Sequence, residues 1–144
     1  MKRPRLLATA LILLGTLAHA DTPQSSPAEL TLYPIGHVRK PEGRTLIVLD
    51  KKYEPALLGV EDLKEIWVLW WFDRNDTPEK RSILQVHPRG NPANPIRGVF
   101  ATHSPVRPNL IAMTRCKVLS VKGNVIEIES IDAFPDTPVL DIKS

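Results

Sequence analysis

Thiols are nearly absent from this chain. Cys116 is the one cysteine among 144 residues, which rules out an intrachain disulfide and any paired-cysteine metal or redox motif. Aromatic residues make up only 6% of the sequence, and three of them, Trp67, Trp70 and Trp71, crowd into one short stretch. Sustained helical periodicity is missing too. Fourteen prolines argue further against long helices, because an interior proline removes a helix hydrogen bond and clashes with the preceding turn. Glycine-rich phosphate loops, a Gly-x-Ser-x-Gly elbow and Cys-x-x-Cys pairs do not occur, so phosphate-loop and elbow-type hydrolase chemistry have no support.

An excess of positive charge also vanishes on closer reading. The chain holds 19 basic and 16 acidic residues, but Lys2, Arg3 and Arg5 lie within the first 20, which leaves 16 of each sign beyond. Composition therefore gives no support to polyanion binding, although a local basic patch stays open. Residues 1–20 read as an export signal. Lys2, Arg3 and Arg5 form its basic start, Leu6 to Ala18 an apolar core too short to span a bilayer, and Ala18-His19-Ala20 a small-residue cleavage site. Cleavage after Ala20 would place the mature chain in the periplasm or outside the cell. An uncleaved segment would instead tether the domain to the membrane at its cytoplasmic face.

Residues 21–29 (DTPQSSPAE) are polar and rich in Pro and Ser, and predict a disordered tether. Residues 30–144 then form one domain, a length that suits a single core. Short β-type runs separated by Pro, Gly, Asn and Asp predict strands at 32–38, 45–49, 66–72, 82–86, 98–102, 111–121, 124–130 and 139–142. The clearest hairpin joins the sixth and seventh across Lys122-Gly123, with Ile126 and Ile128 alternating with Glu127 and Glu129. The expected fold is all-β, a small closed or half-open barrel, with at most a single turn or short helix around Glu61 to Lys64.

Several side chains stand out for chemistry. Cys116 alternates with Arg115 and Lys117, which puts it on a buried strand face as an inert thiol. The Ile66 to Phe72 run is apolar on both faces, and so is either the central strand or part of a subunit contact. His37, His87 and His103 lack the close spacing of known metal ligands, and no metal site is expected. Asp132 and Asp136 begin turn-like segments where a carboxylate either caps a turn or faces a ligand. Arg107 and Asn109 bracket the rigid Pro108 and suit the holding of a ligand or of a neighbouring loop. Arg89, after His87-Pro88, suits a phosphate or a carboxylate.

The motifs Pro34-Ile35-Gly36-x-Val38-Arg39-x-Pro41, Val86-x-Pro88-Arg89, Gly98-Val99-Phe100-Ala101-Thr102-x-Ser104-Pro105-x-Arg107-Pro108-Asn109 and Asp136-Thr137-Pro138-Val139-Leu140-Asp141-Ile142-Lys143 resemble the TsaA-like, or TrmO-like, family. The resemblance runs from Leu32 onward. It implies a β-barrel that works as a homodimer, binds S-adenosylmethionine and methylates the exocyclic amine of a tRNA adenosine beside the anticodon. It also implies cofactor contacts at Asp73, Arg74, His103, Met113 and the run Glu129, Ser130, Ile131 and Asp132, with Arg107 in the same loop as His103. Methyl transfer to an amine needs an aligned pair, tolerance of a sulfonium and an acceptor for the amine proton. Asp132, Asp136 and Asn109 are the candidates for that work. Several positions depart from the family's usual pattern: His103 stands in place of Arg, Leu110 in place of Pro, Ala112 in place of Gly, and Pro135-Asp136-Thr137-Pro138 in place of Asp-Gly-Thr-Pro. These departures make an exported, non-catalytic module binding a small ligand the alternative reading.

Overall fold

The computed structural model describes residues 29–144, of which Thr31–Ser144 form a compact unit. The expected export signal, and the expected tether up to residue 28, lie outside the described residues.

Six strands close an antiparallel barrel: β1 (Gly36–Arg39), β2 (Thr45–Leu49), β3 (Glu65–Trp71), β6 (Ile111–Lys122), β7 (Val125–Ile128) and β8 (Pro138–Lys143). Their order around the barrel is β1-β2-β7-β6-β3-β8, with β8 pairing back to β1. The small barrel expected from the sequence is the fold observed, and it is closed. Between β3 and β6 the chain leaves the barrel as an excursion. It carries one short helix, α1 (Pro78–Arg81), and a two-stranded ribbon of β4 (Gln85–Val86) and β5 (Arg97–Gly98).

Strand alternation builds the core. Inward residues of β2 (Ile47, Leu49), β3 (Ile66, Val68, Trp70) and β7 (Ile126, Ile128) are buried, and their neighbours in sequence are not. Burying each such side chain contributes roughly 1.5–3 kcal/mol before chain entropy is counted. Cys116 lies inward on β6 at 2% exposure, as the alternation predicts. At the seam between β1 and β2, a Cβ on Gly36 would run into the carbonyl of Val48, so only glycine allows that pairing.

The differences from expectation are local. β1 starts at Gly36 rather than at residue 32, because Leu32 and Tyr33 stay exposed outside the ladder. The expected strands at 82–86 and 98–102 shrink to a two-residue pairing, and residues 99–101 become a 3-10 turn whose first amide donates to the Leu84 carbonyl. Of the single turn or short helix expected around Glu61 to Lys64, the turn is what forms, a 3-10 turn over Val60–Asp62 entered through Gly59 at φ 87°. The one α-helix among the described residues falls at Pro78–Arg81. Its signal was in the sequence: Thr77 caps it by accepting from the Lys80 amide, and Pro78 takes the first turn. The β6–β7 turn is centred on Gly123-Asn124, one residue later than expected, since Lys122 still pairs with Val125 and Gly123 supplies φ 57°.

Candidate functional site

One rim of the barrel carries a cavity of about 450 Å³ between the end of β3, the start of β6 and the excursion. Trp70 and Phe72 form one wall, and their rings meet edge to face at 4.7 Å. Ile111 to Thr114 of β6 form a second wall, and Phe100 to His103 with Arg107 form a third. A second cavity of about 300 Å³ adjoins it, lined by Asp73, Arg74, Pro105, Phe134 and Thr137. Trp70, Phe72, His103 and Asp132 face both cavities, so the two share a wall.

A hydrogen-bonded relay runs along that wall. Trp70 Nε1 donates to Thr114 Oγ1 at 3.0 Å, and Thr114 Oγ1 donates to Asp132 Oδ1 at 3.1 Å. The buried indole thus finds its acceptor, and the same hydroxyl aims one oxygen of an exposed carboxylate. Cys116 lies on the same inward row of β6 as Thr114. Burial, assisted by the Asp132 charge, pushes its thiol up to about 11, so it stays protonated and unreactive.

The loop over the cavity is fastened from several sides. Arg107 reaches the carbonyls of Thr102 and Ser104, both at 3.4 Å. Asn75 donates to the Pro105 carbonyl at 2.9 Å, and Arg81 to that of Pro108 at 2.6 Å. Leu110, fully buried, then turns the chain into β6 at φ 56°, a left-handed conformation that proline cannot adopt. On the other side, Lys40 Nζ donates to the Ile131 carbonyl at 2.7 Å and so fixes the residue before Asp132. Arg74 stacks over the Phe134 ring at 4.2 Å.

Asp132, His103, Arg107 and Met113 therefore line the larger cavity, and Asp73 and Arg74 line the adjoining one. The other singled-out residues lie elsewhere. Ile131 is buried with its carbonyl held by Lys40. Ser130 is exposed, and Glu129 pairs with Lys117 at 3.3 Å. Asp136 occupies a left-handed turn and pairs with Arg39, the turn role rather than the site role of the two that its sequence context allows. Asn109 is exposed and lines neither cavity. Reading the sequence missed Thr114, Phe72, Phe100, Phe134 and Lys40. Only Thr114 left a trace, as a polar residue on the same inward register as Cys116. Among the described residues, no three His, Cys, Asp or Glu side chains group closely enough to hold a metal ion.

A closed antiparallel barrel with an aromatic and carboxylate-bearing cavity at its rim has the shape and the lining that suit a small ligand. Residues 24–144 match the tRNA-methyltransferase O N-terminal domain family, and the chain belongs to that family. A probable S-adenosyl-L-methionine-binding protein of Methanocaldococcus jannaschii is 46% identical over 112 residues, covering 78% of this chain and 89% of that protein. An S-adenosyl-L-methionine-binding protein of Archaeoglobus fulgidus is 34% identical over 128 residues, covering 79% and 88%. The human tRNA (adenine(37)-N6)-methyltransferase is 41% identical over 90 residues, 62% of this chain but only 20% of that enzyme. A crystal structure of TrmO from Pseudomonas aeruginosa aligns with TM-score 0.63 at 25% identity, covering 83% of this chain and 56% of that one. The chain thus spans nearly all of these two archaeal relatives and just over half of the solved TrmO.

Proposed function

We propose that this domain binds S-adenosylmethionine in the paired cavities and serves methyl transfer to the exocyclic amine of a tRNA adenosine beside the anticodon. The observation that carries this is the Asp132 carboxylate on the shared wall, oriented by Thr114. The archaeal relatives named for binding S-adenosyl-L-methionine and the mammalian enzymes named as tRNA methyltransferases support it.

The residues present fit that cofactor. A cavity of about 450 Å³ lies in the range usual for ligands of this size. Trp70 and Phe72 offer flat apolar surface to a purine and electron-rich faces to a cation. When bound, the cofactor supplies an electrophilic methyl group on a positively charged sulfur. Asp132 would offset that charge and would accept the proton the amine gives up as the methyl group leaves the sulfur, which becomes a neutral thioether, for the new N–C bond. His103 and the Arg107 N–H groups not taken up by the Thr102 and Ser104 carbonyls, both on the loop over the cavity, suit a carboxylate or a ribose hydroxyl. No covalent link to the protein is needed, since alignment of donor and acceptor accounts for the catalysis.

We further infer a homodimer through the outer face of β3 and β6. Trp67, 36% exposed, and Met113, 48% exposed, leave apolar surface there, and light scattering at several concentrations tests it. The second reading, an exported small-ligand module without transferase activity, is favoured by the signal-like residues 1–20, because tRNA and S-adenosylmethionine are both cytoplasmic. Fractionation with N-terminal sequencing tests export, and incubation with tRNA and labelled cofactor tests transfer. Label in adenosine supports the first reading. Cofactor binding with no label and a mature N-terminus at Asp21 supports the second.

A further inference from the structure

Acidic residues stop at Glu79 and do not resume until Glu127, while eight lysines and arginines fall between them. Formal neutrality beyond residue 20 therefore hides a segregation of charge along the chain. Residues 81–107 of this stretch belong to the excursion beside the cavity. Arg81 and Arg107 are occupied within it, by Asp76 and by loop carbonyls. Arg89 and Arg97 are exposed, and neither forms an ion pair with any carboxylate among the described residues. Two guanidinium groups without an ion-pair partner, on a stretch of sequence without acidic residues, attract a polyanion more strongly than the net charge implies.

The excursion also connects these cations to the cavity. Arg97 pairs with Val86 across the ribbon, and Arg89 follows Val86 by three residues. Phe100 follows Arg97 by three, so the two lie no more than about 10 Å apart along the chain. Phe100 is 80% exposed and forms part of the cavity wall. An exposed aromatic ring of this kind stacks an unpaired base, while guanidinium groups nearby hold the backbone.

We propose that the excursion is a docking surface for a single-stranded or loop RNA, with Arg89 and Arg97 on phosphates and Phe100 receiving a splayed base at the cavity mouth. The proposal rests on the methyl-transfer reading for its acceptor, but it makes its own prediction about salt. The continuity of the basic ribbon with the cavity favours RNA over an anionic membrane, which needs no path into a pocket.

The test is fluorescence anisotropy of the full chain with a labelled anticodon stem-loop RNA across about 50–200 mM salt. The double variant Arg89→Gln/Arg97→Gln should bind about tenfold more weakly at the low-salt end. Its log–log salt slope should be shallower by about 1.4, or about 0.7 for each lost phosphate contact. Lys52→Gln, on the far side of the sequence from this region, should change neither. Titration of the same proteins with S-adenosylmethionine should give unchanged affinity in the double variant. Unaltered RNA affinity in that variant, or no RNA binding by a wild-type protein that binds cofactor, overturns the proposal. So does a loss seen with phosphatidylserine vesicles in place of RNA, which would assign the surface to a membrane. RNA binding that behaves as expected without any cofactor binding would uphold the surface and sink the methyl-transfer reading instead.

Discussion

Thr114 aims Asp132: its hydroxyl donates to the Asp132 carboxylate at 3.1 Å while accepting from Trp70 Nε1 at 3.0 Å. One side chain thereby joins the barrel core to the rim of the cavity. Thr114→Val keeps the shape but leaves the Trp70 indole, 4% exposed, without its acceptor. A loss of about 1–3 kcal/mol in denaturant unfolding is expected, together with weaker cofactor binding. Thr114→Ser should restore both. Wild-type stability in the valine variant would show that water replaces the hydroxyl and that the relay does not matter.

Cys116 yields a prediction in alkaline solution. Its folded thiol is pushed up from 9.0 to about 11 by burial and then by the Asp132 charge. The folded state therefore holds its proton where the unfolded state has lost it. This contribution is complete below pH 9 and fades as pH rises toward 11. Alkylation by iodoacetamide at pH 8.5 should be slow in the native protein and fast in denaturant. Equal rates in both would show that the thiol is open.

Across the barrel, Arg44 donates two hydrogen bonds to Glu127, at 2.9 and 2.8 Å. These bonds hold the Glu127 carboxyl below the usual glutamate value. A depressed folded value means stability that is present above the unfolded glutamate pKa and lost as pH falls through the folded one. Glu127→Gln should therefore flatten part of the acid limb of a stability–pH curve. An acid limb identical to wild type would show that the pair is fully screened at the surface.

Leu110 occupies the place where the resembling family usually has proline, yet its φ is 56°. Proline is confined to about −65°, so Leu110→Pro should destabilise the protein severely. Leu110→Gly should relieve the backbone but remove a fully buried side chain, for a net loss of about 2–4 kcal/mol. A proline variant that folds with native stability would mean that this turn adopts a different backbone from the one described.

Much of the barrel was legible because period-2 alternation is a strong signal where one face is buried: Ile126 and Ile128 against Glu127 fixed β7, and Cys116 between two charges fixed the inward register of β6. The excursion was harder to read. Its ribbon contributes only a two-residue ladder, and what holds it is long-range, such as Arg81 to the Pro108 carbonyl. The candidate site was half visible through the resemblance, which pointed to Asp132, His103, Met113 and Arg107. Phe134 and Lys40 were hidden because what they touch is set by tertiary packing. Lys40 reaches Ile131 across 91 positions of sequence, a distance no local pattern encodes.

The most direct measurement is calorimetric titration of the purified protein and of its Asp132→Ala variant with S-adenosylmethionine, alongside circular dichroism of both. Asp132 is an exposed residue, so its removal should leave the fold intact. Micromolar binding by the wild type and none by the folded variant is the predicted result. No binding by a folded wild type at millimolar cofactor, or equal binding by both proteins, would contradict the assignment of the cavity and of Asp132.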